Sequence, residues 1–107
     1  MPLIRIEYDN NNVENADIQK LSEAVQKIVS ETTNIEDVFV YANSAEIKVK
    51  IAPVEIFIQM SAHKIEDRDA LTKELVSRIS AWKKENNFNH PINFTLIPMD
   101  WKIEIDI

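Results

Sequence analysis

The 107 residues include no glycine, and this absence restricts both the turns and the binding loops that the chain can form. Phosphate-binding loops and dinucleotide-binding turns need glycine where the backbone passes close to a phosphate. A P-loop and a Rossmann fingerprint are therefore excluded. Other residues must supply left-handed backbone, and the Asp/Asn runs at 9–12 and 86–87 are the expected places for it.

Composition limits the class of partner. The net charge of -6, from 12 Lys and Arg against 18 Asp and Glu, argues against nucleic acid and against an anionic membrane. The absence of cysteine excludes disulfides, thiolate metal centres and a cysteine nucleophile. No apolar run is long enough to span a membrane and the N-terminus does not resemble a signal peptide, so the cytoplasm is the expected location.

Hydrophobic periodicity predicts a single α+β domain that spans the whole chain. Each half, 1–51 and 52–107, is expected to contain a strand, a long helix, a second strand and a short added strand. Pro98 is expected to end one strand, and Lys48 and Lys50 are expected to lie in solvent. The predicted strands cover residues 1–8, 38–42, 45–51, 54–60, 92–97 and 101–107, and the predicted helices cover residues 15–32 and 67–85.

Two architectures accept this order of elements. One is the ferredoxin-like sandwich, which is built from split β-α-β units. The other is a single sheet made by two pseudo-repeated β-α-β units, with both helices packed on one face. The periodicity alone leaves both open.

Three short segments resemble a small bacterial branch of uncharacterised tautomerase-like proteins, within the superfamily of tautomerases and macrophage migration inhibitory factor. They are the opening Met-Pro-Leu-Ile-Arg-Ile, the Pro-Val-Glu-Ile at 53–56 and the Ile-Pro at 97–98. The resemblance implies the second architecture. It also implies a homotrimer, in which the segments 45–51 and 101–107 pair with neighbouring subunits.

The same resemblance implies that Pro2 is catalytic once Met1 has been removed. A free N-terminal proline is a secondary amine, and burial in an apolar pocket lowers the pKa of such an amine toward neutrality. It can then take a proton from a carbon beside a carbonyl group and return it elsewhere. The resemblance therefore implies a tautomerase-like enzyme that acts on a small carbonyl or enol substrate.

Residues that bind this substrate are harder to assign. The superfamily's carboxylate-binding arginine on the second strand corresponds to Phe39, so a dicarboxylate substrate is not implied. Arg5 and Tyr41 offer a cation and a hydroxyl group, and Trp101 offers an apolar wall. Asn93 falls on a late strand where relatives carry pocket residues. These five residues are the predicted substrate-binding candidates.

No cofactor and no metal site are predicted. His63 and His90 are the only histidines, and no pattern of carboxylates accompanies them at metal-ligand spacing. Two alternatives to an enzyme remain at this point. One is a catalytically silent trimeric scaffold or interaction module with the same fold, and the other is a ferredoxin-like binding domain.

Overall fold

The computed structural model describes residues 1–107 and contains one four-stranded sheet and two long helices. A short 3-10 turn (Ala62–Lys64) leads from the third strand into the second helix. Neither helix has a stretch that is long and apolar enough to cross a membrane. The strands are β1 (Leu3–Tyr8), β2 (Phe39–Asn43), β3 (Val54–Ser61) and β4 (Asn93–Met99), and the helices are α1 (Asn15–Thr33) and α2 (Arg68–Glu85).

The strand order β2-β1-β3-β4 decides between the two architectures. β2 pairs directly with β1 in parallel, with Leu3 beside Phe39, and β4 pairs with β3 in the same way. The two β-α-β units are thus unsplit, and they meet where β1 and β3 pair antiparallel. A ferredoxin-like sandwich would insert a strand inside each unit, so that alternative is wrong.

The core lies between the sheet and the helices. One face of β1 and β3 supplies fully buried isoleucines and valines, and α1 supplies four buried residues at helical spacing. The second helix contributes less, with only Leu75 and Ile79 buried. Its first turn is capped by Asp67, whose carboxylate accepts a hydrogen bond from the Ala70 N–H at 3.0 Å. The principal core side chains are Ile4, Ile6, Leu21, Val25, Val29, Val54, Ile56, Ile58 and Leu75.

Two predicted strands do not form. The segments 45–51 and 101–107 have no regular structure, although their apolar residues alternate as in a strand. Ile47 and Ile105 are 88% and 72% exposed. Alternation specifies which side chains share a face, but a strand also needs a neighbouring backbone to pair with, and neither segment has one within the chain.

Pro98 does not end its strand. It pairs with Met60, and β4 continues to Met99. Proline is tolerated there because β4 is an edge strand, whose outer side needs no N–H donor. The two helices and the other four strands lie within about two residues of their predicted bounds, the usual uncertainty of element ends.

Asparagine replaces glycine at two turns. Asn34 ends α1 with φ 58°, and Asn87 follows α2 with φ 53°. Left-handed backbone at 86–87 was predicted from the sequence. The same prediction for the loop 9–12 is wrong, because those residues keep negative φ. There the Asp9 carboxylate accepts hydrogen bonds from the Asn11 N–H at 3.1 Å and from the Asn12 amide at 2.6 Å, which holds the turn without left-handed backbone.

Asp9 also ties down the segment between β2 and β3. The Lys48 ammonium lies 3.3 Å from the Asp9 carboxylate and also donates to the Asn10 side chain, and Lys48 is only 15% exposed. The expectation that Lys48 lies in solvent is therefore wrong. The hydrogen bond from the Asn11 N–H, then that from Asn12 and the charge of Lys48, lower the pKa of the Asp9 carboxyl.

This lowered pKa predicts a pH-dependent contribution to stability. A carboxyl group whose pKa falls on folding stabilises the folded protein above its unfolded-state pKa, and loses that effect as pH falls through the folded-state pKa. Asp9→Asn should therefore lower the urea midpoint at pH 7, and the gap from the wild type should narrow below about pH 4. Asp37→Asn, at an exposed loop position, is the matched control. A difference in urea midpoint between Asp9→Asn and the wild type that stays equal at every pH would contradict the lowered pKa of Asp9.

The left-handed residue at the end of α1 predicts a second change in stability. Asn34→Gly should raise the free energy of unfolding by about 0.5 kcal/mol, and Asn34→Ala should lower it by about 1 kcal/mol, because a Cβ is unfavourable at this φ. Urea unfolding of both variants measures this. Asn89→Gly, at a position without positive φ, should only destabilise the protein. Destabilisation by Asn34→Gly would refute the conformational argument.

Candidate active site

Pro2 lies at the point where the chain enters the sheet. It immediately precedes β1, its residue surface is less than 2% exposed, and its carbonyl oxygen accepts a hydrogen bond from the Phe39 N–H at 3.1 Å. β1 is a central strand that pairs on both sides. The pairing of β1 therefore fixes the position of Pro2.

The register of the sheet identifies the neighbours of Pro2. Leu3 lies opposite Gln59, so extension of the antiparallel pairing by two positions sets Met1 opposite Ser61. Ser61 in turn pairs with Met99 on β4. We call this end of the sheet, with Pro2, Phe39, Ser61, Met99 and Trp101, the Pro2 edge.

Trp101 belongs to the Pro2 edge although it lies beyond β4. Its indole Nε1–H donates a hydrogen bond to the Ser61 hydroxyl at 2.8 Å. Ser61 is 8% exposed and Trp101 is half-buried. Of the five predicted substrate-binding residues, the fold brings two, Phe39 and Trp101, to the same end of the sheet as Pro2.

A cleft opens at this end of the molecule, between the end of α1 and the start of α2. It has a volume of 410 Å³, and Lys64 is the one basic residue that lines it. The Thr32 hydroxyl is buried here without a hydrogen-bond partner. The lining residues are Thr32, Thr33, Lys64, Ile65, Glu66, Asp67, Ala70 and Leu71. Pro2 is not among them, nor does it line any of the other four principal cavities.

Arg5 and Tyr41 lie further along the sheet from Pro2, on the helix-free face that also carries Phe39. Arg5 pairs with Tyr41 across β1 and β2, its guanidinium lies 4.7 Å from the Phe57 ring centroid, and its Nε is 3.2 Å from the Glu7 carboxylate. Arg5 is three residues from Pro2, or about 10 Å along the strand. The ion pair with Glu7 is the structural alternative to a substrate contact.

Asn93 lies at the opposite end of the sheet from Pro2. It begins β4 beside Glu55, and its side-chain amide donates to the Glu55 carboxylate at 3.4 Å. Glu55 pairs with Glu7, five residues beyond Pro2, so the separation is about 17 Å. Within one chain, Asn93 and Pro2 cannot touch the same small molecule.

The two histidines are also far apart. His63 is exposed in the 3-10 turn that follows β3 at the Pro2 edge. His90 precedes β4 at the other end, where its ring packs edge-on against Phe88 with centroids 5.3 Å apart. The structure contains no group of three or more His, Asp or Glu side chains placed to hold a metal ion.

Sequence reasoning missed two polar groups at this end of the molecule. Ser61 gave no signal, because a serine at the end of a strand is common and its partner lies 40 residues away. Thr32 was interpreted only as a helix end, although its hydroxyl is buried in the cleft. Both depend on contacts between distant segments, which periodicity does not describe.

Comparison with known proteins identifies the fold. No family model matches the chain, and no curated protein matches it. Solved structures do. A malonate semialdehyde decarboxylase inhibited by 3-bromopropiolate superposes with a TM-score of 0.68 at 14% identity, over 96% of this chain and 89% of that chain.

Two further solved structures have the same architecture. A fused 4-OT (4-oxalocrotonate tautomerase), a symmetric trimer, matches with a TM-score of 0.69 at 11% identity, over 98% of this chain and 94% of that chain. A 5-carboxymethyl-2-hydroxymuconate delta-isomerase matches with a TM-score of 0.61 at 11% identity, over 99% of this chain and 89% of that chain. The chain therefore has the tautomerase fold. The resemblance to the tautomerase superfamily that its opening residues suggested is confirmed at the level of the fold.

Proposed function

We propose that this protein is a tautomerase-like enzyme that uses Pro2, after removal of Met1, as a general acid or base on a small carbonyl or enol compound. The observation that carries the proposal is the position of Pro2, buried below 2% exposure at the start of the central strand. The names of its structural neighbours, a tautomerase, a decarboxylase and an isomerase, support the same class of chemistry.

Removal of Met1 would both free the Pro2 amine and open a space beside it for a substrate. The peptide bond to Met1 makes the Pro2 nitrogen an amide, which is not basic, whereas the processed chain has a secondary amine. Apolar surroundings disfavour the ammonium form and lower the pKa of that amine. Met1 is 38% exposed, so neighbouring groups already cover most of its surface, and its departure leaves a partly enclosed space next to the amine.

The groups around that space favour an aromatic or apolar carbonyl compound. The Phe39 N–H donates to the Pro2 carbonyl oxygen and the Trp101 indole donates to Ser61, so two flat apolar side chains lie at the same end of the sheet as the amine. Lys64, the one basic residue of the cleft between the two helices at this end of the molecule, is a candidate for pairing with a substrate carboxylate. In the reaction, the amine removes a proton from the carbon beside the carbonyl group, and the resulting ammonium returns it to the other end of the enol system.

We further propose that the protein is a homotrimer. The sheet face opposite the helices carries Phe39 and Tyr41 at 49% and 45% exposure, and no element of the same chain covers it. Ile47 and Ile105 are exposed on segments with strand-like alternation and no partner strand. Burial of these surfaces against other copies would satisfy both features. The fused 4-OT that shares this fold is a symmetric trimer.

The role of Pro2 predicts the effect of Pro2→Ala on the conversion of enol phenylpyruvate to its keto form. The variant should lose at least about 100-fold in kcat/KM, because a primary amine at a less constrained N-terminus replaces the positioned base. In the wild type, kcat/KM should rise with pH as the Pro2 amine loses its proton. Initial rates measured across pH, on protein whose N-terminus has been verified by intact mass, test both expectations.

Pro91→Ala, a proline exposed before β4, is the matched control and should retain the wild-type rate. Equal rates for Pro2→Ala and the wild type would overturn the catalytic role. So would retention of Met1 in protein that has been isolated from its native cells. A protein that is trimeric but inactive in every such assay would instead be a silent scaffold.

The trimer predicts a solution mass of about 37 kDa, three chains of 12.4 kDa, by light scattering after size exclusion. Tyr41→Asp should shift the protein toward a single chain, because it would bury an unpaired charge in the interface. Ala81→Asp, at an exposed helical position, should leave the mass unchanged. A mass of one chain for the wild type would contradict the assembly.

A further inference from the structure

Ser61 is the only polar residue among the 17 buried residues of the chain. Its hydroxyl accepts the hydrogen bond from the Trp101 indole, at the end of β3 beside the residue that precedes Pro2. We infer that Ser61 is a positioning residue that fixes Trp101 as one wall of the Pro2 site. This inference rests on the proposed function and names the group that sets the width of that site.

The burial of Ser61 follows from the position of the indole. Outward-facing residues earlier on β3, such as Phe57 and Gln59, are only half-buried. Ser61 has the same orientation in the strand but is 8% exposed, and its hydroxyl accepts the hydrogen bond from the Trp101 indole, which we infer covers it. Without the Ser61 hydroxyl, the half-buried indole N–H would lose its hydrogen-bond acceptor, which is unfavourable.

The hydrogen bond between Trp101 and Ser61 is also the last contact of this kind along the chain. Beyond Trp101, the exposed fractions of Ile103, Ile105 and Ile107 rise from 37% to 72% and 109%. No residue from 101 to 107 has regular secondary structure. The Ser61–Trp101 pair is therefore what holds the start of this segment against the sheet.

The pair lies where a substrate would enter. Met1 is set opposite Ser61 by the extended register, so the space that Met1 leaves is bordered by Ser61 and by the indole above it. An indole fixed there limits the size of the site and offers a flat apolar surface to a substrate ring. The Ser61–Trp101 pair should therefore affect substrate binding more than proton transfer.

The first test follows the indole itself. A Trp82→Phe background leaves Trp101 as the only tryptophan. In this background, Ser61→Ala should shift Trp101 emission to longer wavelength and raise its acrylamide quenching constant about twofold, because the freed indole is more exposed. Ser61→Thr keeps the hydroxyl and should restore the background values, while Ser80→Ala should have no effect.

The second test measures turnover of enol phenylpyruvate. Ser61→Ala should raise KM about fivefold, the equivalent of one lost hydrogen bond, with kcat within about twofold of the wild type. Trp101→Phe keeps an aromatic ring without the donor and should give a similar rise. The KM of the double variant should be no higher than that of either single variant, since each substitution removes the same hydrogen bond.

Unchanged quenching in Ser61→Ala, or an equal change in Ser61→Thr, would overturn the claim that the hydroxyl holds the indole. Altered quenching with unchanged KM would overturn the positioning role. If the wild type does not convert phenylpyruvate at all, the proposed function loses its support and the positioning role falls with it. The quenching comparison would still decide whether Ser61 holds Trp101.

Discussion

The pairing of β1 on both of its sides is the constraint on which the rest of the molecule depends. β1 joins its own β-α-β unit through β2 and joins the other unit through β3. Its inward residues Ile4 and Ile6 are fully buried beneath the helices. Because a central strand can shift neither sideways nor in register without exposing these residues, the residue before it has one fixed place. Pro2 is that residue.

The two ends of the sheet have different chemistry as a result. At one end, the Asp9 carboxylate accepts hydrogen bonds that close a turn. Asp9 also forms an ion pair with Lys48, which holds the segment between β2 and β3 in place. At the other end lie Pro2, aromatic residues and a cleft between the helices. In a chain without glycine, the first end relies on carboxylate and amide side chains to shape its loops. The second end is where we propose that the reaction takes place.

Much of this fold was predictable because most of its segments bury one face within a single chain. In α1, the spacing of Ile18, Leu21, Val25 and Val29 predicted the helix, and alternation predicted the four paired strands. The segment around Ile47 carries the same alternation but has no strand beside it, so the same rule failed there. Among the predicted site residues, Pro2, Phe39 and Trp101 lie at one end of the sheet, whereas Asn93 lies at the other because parallel pairing with β3 starts β4 there.

The sequence alone determined the two helices, the four paired strands and the position of a proline at the start of the first strand. Periodicity and residue type are local properties, and they are enough for those conclusions. Only the tertiary structure decided which strands are neighbours, that Lys48 is paired rather than solvated, and that Ser61 meets Trp101 across 40 residues. Such contacts depend on register and on chain direction in the sheet, which bring together residues that no local pattern connects.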